Sequence, residues 1–231
     1  MSIETQPALH VLCDLDNVLG HSALKIVGWS NSWIDRKKLG PGGLSLTDYQ
    51  ENFPAMWGVT LEEGNERWGE FCAEHMPHIP PDEIMQGVIA GLPQNVLLKV
   101  LTSRAAHTQE VTRAWVRQHY PRFPDVLHTL TDWTNDPKAH LRTKADAIVH
   151  HLRSGNLPCL PDMIVDDEPK HVIACQDLDV DGAKIDHVVL YGDYPWNKEA
   201  QSALGVTWLP TPLLLEEYMY EAMARKGLSA A

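Results

Sequence analysis

Two aspartates two residues apart, in His10-Val11-Leu12-Cys13-Asp14-Leu15-Asp16-Asn17-Val18-Leu19-Gly20, close a short apolar run. The run has the character of a buried strand. Side chains at i and i+2 of an extended chain project to the same side. Asp14 and Asp16 can therefore face one small site at a strand's carboxyl end, where open α/β sheets hold their ligands. An Asp-x-Asp alone also describes an acidic turn, so the rest of the chain has to decide. Val96-Leu97-Leu98-Lys99-Val100-Leu101 is a second apolar run and ends in Thr102-Ser103-Arg104. Lys144 lies in the helical pattern Thr143 to Val149, and Pro161-Asp162-Met163-Ile164-Val165 leads into a second acid pair, Asp166-Asp167. Carboxylates gathered in one pocket repel one another unless a cation sits among them, and hard oxygen donors with open positions suit Mg²⁺. Phosphate monoester hydrolysis needs an in-line nucleophile, compensation for charge on the phosphoryl oxygens, and an acid for the leaving group.

Acid pair, hydroxyl, lysine and acid pair, in that order over residues 9–195, resemble the haloacid dehalogenase superfamily of phosphatases. The resemblance implies that Asp14 attacks phosphorus to give an aspartyl-phosphate. Asp16 would protonate the leaving group and then deprotonate the attacking water. Thr102, with Ser103, would hold phosphoryl oxygens. Lys144 would pair with Asp14 and the phosphate, with Lys138 and Lys170 as alternatives. Mg²⁺ would be held by Asp14, Asp166 and the backbone carbonyl of Asp16, with Asp167 as a direct or supporting ligand. Asn17 stands where many members carry glycine.

Asp14 to Leu19, the Thr102-Ser103 tip, Ile164 to Asp167 and Tyr191-Gly192-Asp193-Tyr194-Pro195-Trp196-Asn197 look like the 5'(3')-deoxyribonucleotidase branch, which implies a nucleoside monophosphate substrate. Leu101-Thr102-Ser103-Arg104 with Thr112-Arg113-Ala114-Trp115 also resembles the phosphatase domain of polynucleotide kinase-phosphatases, which would act on a 3' phosphate at a nucleic-acid end. A non-catalytic nucleotide-binding relative is the third reading, and the intact acids and lysine speak against it.

The elements that must position these groups alternate between strands and helices, which argues for an α/β, Rossmann-like parallel sheet with helices on both faces. About eighty residues separate the first two strands, too many for one crossover. Residues 20–80 are expected to form an inserted, mainly helical cap, with residues 1–19 and 81–231 as the core. Within the cap, Ser45 to Phe53 and Leu61 to His75 have helical patterns. Pro80 to Leu92 reads as the returning helix and Thr108 to Tyr120 as another, with Val111, Ala114, Trp115 and His119 at helical spacing. An extended piece follows at Val126 to Leu130, then a polar loop, Thr131 to Pro137. The Lys144 helix runs to about Arg153. Asp166-Asp167 precede a short helix, Asp186 to Tyr191 reads as a further strand, and Leu213 to Arg225 as the last helix. Trp29, Trp33, Trp57 and Trp68 fall in the cap with Tyr49, Phe53 and Phe71. Trp57, Phe53 and Trp33 are candidates to stack a nucleobase, a contact worth about 1–3 kcal/mol. A small cap equally needs large side chains for its own core.

The 231-residue chain carries a formal charge of −12, which disfavours a grip on long nucleic acid. No apolar stretch approaches the roughly 20 residues of a membrane span, and Met1 to Pro7 lacks the features of a secretory signal. A cytoplasmic location is expected, and a homodimer stays open. The four cysteines, without paired spacing, are expected to be reduced. Cys72-x-x-His75-x-x-His78 offers three metal donors, one short of a structural zinc set, and Pro77 interrupts the helix.

Overall fold

The computed structural model describes residues 8–34, 42–50, 52–129, 142–203 and 205–229. Its centre is a parallel sheet of six strands: β1 (Leu9–Cys13), β2 (Val96–Thr102), β3 (Val126–His128), β4 (Met163–Asp166), β5 (His187–Tyr191) and β6 (Thr207–Leu209). Their order is β3-β2-β1-β4-β5-β6. The chain thus builds outward from β1 in one direction and then in the other. The switch point lies at the carboxyl end of β1, flanked by β2 and β4, where a doubly wound sheet opens a crevice. Cys13 is in register with both Val100 and Val165, so the residues just beyond β1, β2 and β4 come together at that crevice.

Alternation along the strands divides the core between the two faces. Val11, Cys13, Met163, Val165, Val189 and Tyr191 belong to one cluster, with Met85, Ile89, Trp115, Leu215 and Met219 from the helices Glu83–Gly91, Gln109–His119 and Pro212–Arg225. Leu12, Ile164, Val188 and Leu190 belong to the other, covered by Ile148 and Val172 of helices Lys144–Arg153 and Pro169–Gln176. β6 is not anticipated from the sequence. It is a three-residue edge strand, too short to show alternation. The extended piece after Gln109–His119 is a strand only over Val126–His128, and Leu130 with the polar loop lies outside the described residues. In Gln109–His119 the buried positions are Thr112, Trp115 and Val116, and Ala114 faces outward. The inward face is displaced because Thr112 turns toward the buried Arg104.

The stretch between β1 and β2, expected above to form a cap, contains helices Ser22–Trp33, Phe53–Trp57 and Leu61–Glu70, and its buried Trp29, Trp57 and Phe71 share one hydrophobic cluster with the sheet. The expected helix over Ser45 to Phe53 is replaced by a single turn, Leu46–Asp48. The Ser45 and Asp48 side chains close that turn on each other, and Tyr49 leaves it extended. A new helix starts only at Phe53, where Asn52 accepts the Ala55 N–H and Pro54 occupies the first turn, and it stops at Gly58, whose φ of 65° is left-handed. Leu61–Glu70 does not run on as an α-helix to His75. Phe71–His75 forms a π turn, the wider winding that precedes Pro77. The two chain passages between cap and core lie side by side: His21 N–H donates to Pro80 O at 2.9 Å and Asp82 N–H to Leu19 O at 3.0 Å. The buried Tyr120 hydroxyl spans both, 2.6 Å from Leu19 O and 3.0 Å from Asp82 O. Among the described residues no helix is long and apolar enough to cross a membrane. All four cysteines are free.

Tyr120→Phe removes the one side-chain donor shared by the two passages. Urea unfolding should show a loss of about 1–2 kcal/mol with an unchanged slope. An unchanged midpoint would show that the passages need no such tie.

Candidate active site

Asp14 extends the β1–β4 pairing by one bond, its N–H donating to Val165 O at 2.8 Å, and its carboxylate sits just past the strand tip. Asp166 ends β4. Between them lies Lys144, 1% exposed, with Nζ 2.6 Å from Asp14 Oδ1 and 2.6 Å from Asp166 Oδ2. Local sequence places this lysine. Thr143 accepts the Asp146 N–H while Asp146 accepts the Thr143 N–H, a reciprocal cap that makes Lys144 the first helical residue. Burial disfavours the charge on Lys144, but Asp14 and Asp166 more than offset it and hold its pKa above the ordinary lysine range. Lys138 lies outside the described residues, and Lys170 is half-buried on the helix after the acid pair.

Asp167 completes a trio. One ligand oxygen each from Asp14, Asp166 and Asp167 lie within 4.8 Å of one another, and all three residues are buried. It is the one such grouping of histidine, cysteine or acidic side chains among the described residues, so Cys72, His75 and His78 do not converge in this way. Burial pushes the Asp14 carboxyl up to about 8, with Asp166 and Asp16 adding to the rise and Lys144 opposing it. Burial likewise raises Asp167, reinforced by the charges of Asp14 and Asp166. Three buried carboxylates facing one lysine are two positive charges short of balance, and a divalent cation fits that donor set.

Asp16 has a different environment. Arg104 Nε donates to its Oδ2 at 2.9 Å and Nη2 to its Oδ1 at 2.6 Å, and Ser22 Oγ donates to Oδ1. Burial works to raise this carboxyl, but the Arg104 charge and the hydrogen bonds prevail and hold it below the usual range. The Asp16 carboxylate is thus engaged by Arg104 rather than grouped with the trio. Thr102 is fully buried and its Oγ1 accepts the Arg104 N–H at 3.2 Å. Ser103 Oγ lies 3.2 Å from His171 Nε2. Lys144 N–H donates to His171 Nδ1 at 3.2 Å, so a neutral ring carries its proton on Nε2 and donates to Ser103. Burial, then the nearby Lys144 charge, keeps His171 neutral.

Asn17 adopts φ 60°, a left-handed conformation that asparagine tolerates better than most side chains, which explains its presence at a position where glycine is the alternative. Its Oδ1 accepts the Ala23 N–H at 2.9 Å and its Nδ2 donates to Asp167 Oδ2 at 3.1 Å. The three proposed aromatics pack largely on one another, and Phe53 also adjoins Tyr49 at a centroid distance of 6.3 Å. Trp57 is 1% exposed, donates to Ser30 Oγ at 2.8 Å, and stacks on Phe53, which stacks in turn on Trp68. Trp33 packs edge-on against Trp57 and beneath Arg67. The aromatic side chain that does touch an acid is Trp196, whose Nε1 donates to Asp167 Oδ2 at 3.0 Å. Arg104, Ser22, His171 and Trp196 are site residues that sequence reasoning assigns no role. Arg104, two residues past Thr102 on the same strand end, carried a positional hint, and Trp196 one through the Tyr191-to-Asn197 segment.

The raised Asp14 and Asp167 carboxyls have a measurable consequence. In metal-free protein their contribution to stability is complete below the unfolded value near 4 and is lost as pH rises, for Asp14 toward about 8. Mg²⁺ should therefore raise the melting temperature more at pH 8 than at pH 6. The difference between Mg²⁺ and EDTA curves cancels the buried histidines common to both, and a shift independent of pH would contradict this electrostatic account.

Neither a protein-family model nor a curated protein sequence matches the chain. Solved structures do. A haloacid dehalogenase-like hydrolase from Streptococcus pneumoniae aligns with TM-score 0.65 at 12% identity, covering 93% of this chain and 100% of that one. A putative phosphoglycolate phosphatase from Lactobacillus delbrueckii gives 0.60 at 13%, covering 91% and 97%. A haloacid dehalogenase family hydrolase from Deinococcus radiodurans, solved with bound phosphate and sodium, gives 0.59 at 16%, covering 98% and 100%. The parallel sheet built outward from β1 and its helical layers are those of the haloacid dehalogenase-like fold.

Proposed function

We propose that this protein is a Mg²⁺-dependent phosphate monoester hydrolase that works through an aspartyl-phosphate on Asp14. The observation that carries the reading is Lys144 bridging Asp14 and Asp166 at the switch point, with Asp16 on the same strand end under separate control by Arg104 and Ser22. Asp14, Asp166 and Asp167 would hold the cation, which supplies charge compensation for the phosphoryl oxygens and keeps Asp14 ionised. An Asp14 oxygen attacks phosphorus as the bond to the leaving oxygen breaks, and Asp16 gives that oxygen its proton. Water then attacks phosphorus, Asp16 accepts a proton from it, and Asp14 departs as carboxylate. The Arg104 pair keeps Asp16 ionised in the free protein, the form required of the base. Asp16 takes up the acid's proton only when entry of the ester parts it from Arg104. Lys144 offsets charge on Asp14 and the phosphoryl group throughout.

A small phosphate ester is the substrate class this reading favours. Two of the solved neighbours named above are described as hydrolases with no substrate named, and one is described as a putative phosphoglycolate phosphatase. None of the three is described as a nucleotidase. Trp57 and Phe53 pack among the cap's own aromatics, which removes most of the stacking argument for a nucleobase. The nucleoside monophosphate reading retains the Tyr194-to-Asn197 segment beside Asp167, and an end-repair role is opposed by the charge of −12.

Phosphate release with Mg²⁺ should be measured on phosphoglycolate, sugar phosphates, 5' and 3' nucleoside monophosphates and a 3'-phosphorylated oligonucleotide. Turnover of a small ester should be abolished by Asp14→Asn and reduced about 10²–10⁴-fold by Asp16→Asn. Turnover that survives Asp14→Asn would sink the covalent mechanism, and preference for the oligonucleotide would replace the substrate class.

A further inference from the structure

Asp167 stands apart within the acid trio. The ion pairs of Lys144 are with Asp14 and Asp166, so the orientation of the third carboxylate comes from neutral donors. Asn17 Nδ2 at 3.1 Å and Trp196 Nε1 at 3.0 Å both donate to the same oxygen, Oδ2. Two donors on one oxygen limit rotation of a carboxylate and leave its other oxygen for a different partner.

The loop after β5 is built to bring the Trp196 indole to that oxygen. Gly192 has φ 82°, and a Cβ there would run into the Tyr194 ring. Asn197, fully buried, donates to Tyr191 O at 3.0 Å and Gly192 O at 3.3 Å and accepts the Tyr194 N–H at 3.2 Å, closing the loop on itself. The Trp196 ring stacks on Tyr194 with an interplanar angle of 3° and centroids 4.6 Å apart. The Tyr194 hydroxyl donates to Asn17 O at 2.6 Å, so the residue under Trp196 also steadies the second donor to Asp167. From the cap, Tyr49 packs on Trp196 with ring centroids 4.8 Å apart.

We propose that Trp196 is a positioning residue for the divalent cation: its indole N–H orients Asp167, and Tyr49 passes the placement of the cap to that carboxylate through the Trp196 ring. The inference rests on reading the trio as a cation site. Hydrogen bonds to metal-holding carboxylates contribute strongly to affinity, and their loss costs about 10–100-fold in binding.

The test is calorimetric titration of Mg²⁺ alone into wild-type protein, Trp196→Phe and Tyr49→Leu, with melting temperatures in EDTA measured alongside. Phenylalanine keeps the stack on Tyr194 and removes the donor. Its Mg²⁺ dissociation constant should rise about tenfold or more while the metal-free melting temperature stays close to wild type, a split that a purely structural role would not give. Tyr49→Leu should raise the constant by a smaller factor, because the donor remains and only its buttress is lost. Wild-type affinity in Trp196→Phe overturns the inference and leaves the cation site standing. A wild-type protein that does not bind Mg²⁺ at millimolar concentration overturns both. If Trp196→Phe does not fold, Tyr49→Leu decides: an unchanged constant there rejects the coupling of cap to Asp167.

Discussion

A single buried ammonium group holds the switch point together. Lys144 lies within 2.6 Å of two carboxylates that belong to different strands, and a third acid adjoins them. Without a cation between them, the tips of β1 and β4 could not carry acids at this burial, because desolvation and mutual repulsion act in the same direction. Each neighbouring element serves that placement. The parallel register of β1 with β4 brings Asp14 and Asp166 together, and the Thr143–Asp146 cap starts a helix at the residue whose side chain must reach both. His171 accepts the Lys144 backbone N–H, so the first turn of that helix is also tied to the Ser103 tip of β2.

A second cation gives the acids of the first strand end different environments. Arg104 binds both oxygens of Asp16 and draws its pKa down, while burial draws the pKa of Asp14 up, although the two residues are separated by one leucine. The split belongs to the metal-free protein, and the proposed roles need a cation to keep Asp14 ionised and the ester to free Asp16 from Arg104. Ser22 opens the helix Ser22–Trp33 and also bonds Asp16, so this carboxylate is tied to the segment between β1 and β2 as well as to the sheet. Trp196 and Tyr49 make the corresponding link on the opposite acid pair. Among the described residues, the segment between β1 and β2 thus meets the site through the Ser22 hydroxyl, the Ala23 N–H on Asn17 and the Tyr49 ring.

The order of acids, hydroxyl and lysine made the core and the trio legible, because strand tips and a capped helix leave signals within a few residues. Asp14, Asp166, Asp167 and Lys144 converge from readings that were local in sequence. What escaped was long-range or conformational. Arg104 reaches Asp16 across 88 positions, Trp196 reaches Asp167 across 29, and His171 joins Ser103 across 68. The cap misled for another reason. Its periodicity over Ser45 to Phe53 was real, but a reciprocal Ser45–Asp48 closure captured one turn and a proline-started helix began afresh. Its tryptophans signalled a hydrophobic centre for the cap itself, with Trp57 bonded to Ser30 inside it.

Lys144→Met tests the organising claim most directly, by urea unfolding in EDTA at neutral pH and again at lower pH. If the lysine is what permits the buried acids, the variant loses about 3–5 kcal/mol at neutral pH, and the deficit shrinks as falling pH protonates the stranded carboxyls. A loss below about 1 kcal/mol that does not vary with pH would show that the acids are accommodated without it, and the account of the site would have to be rebuilt.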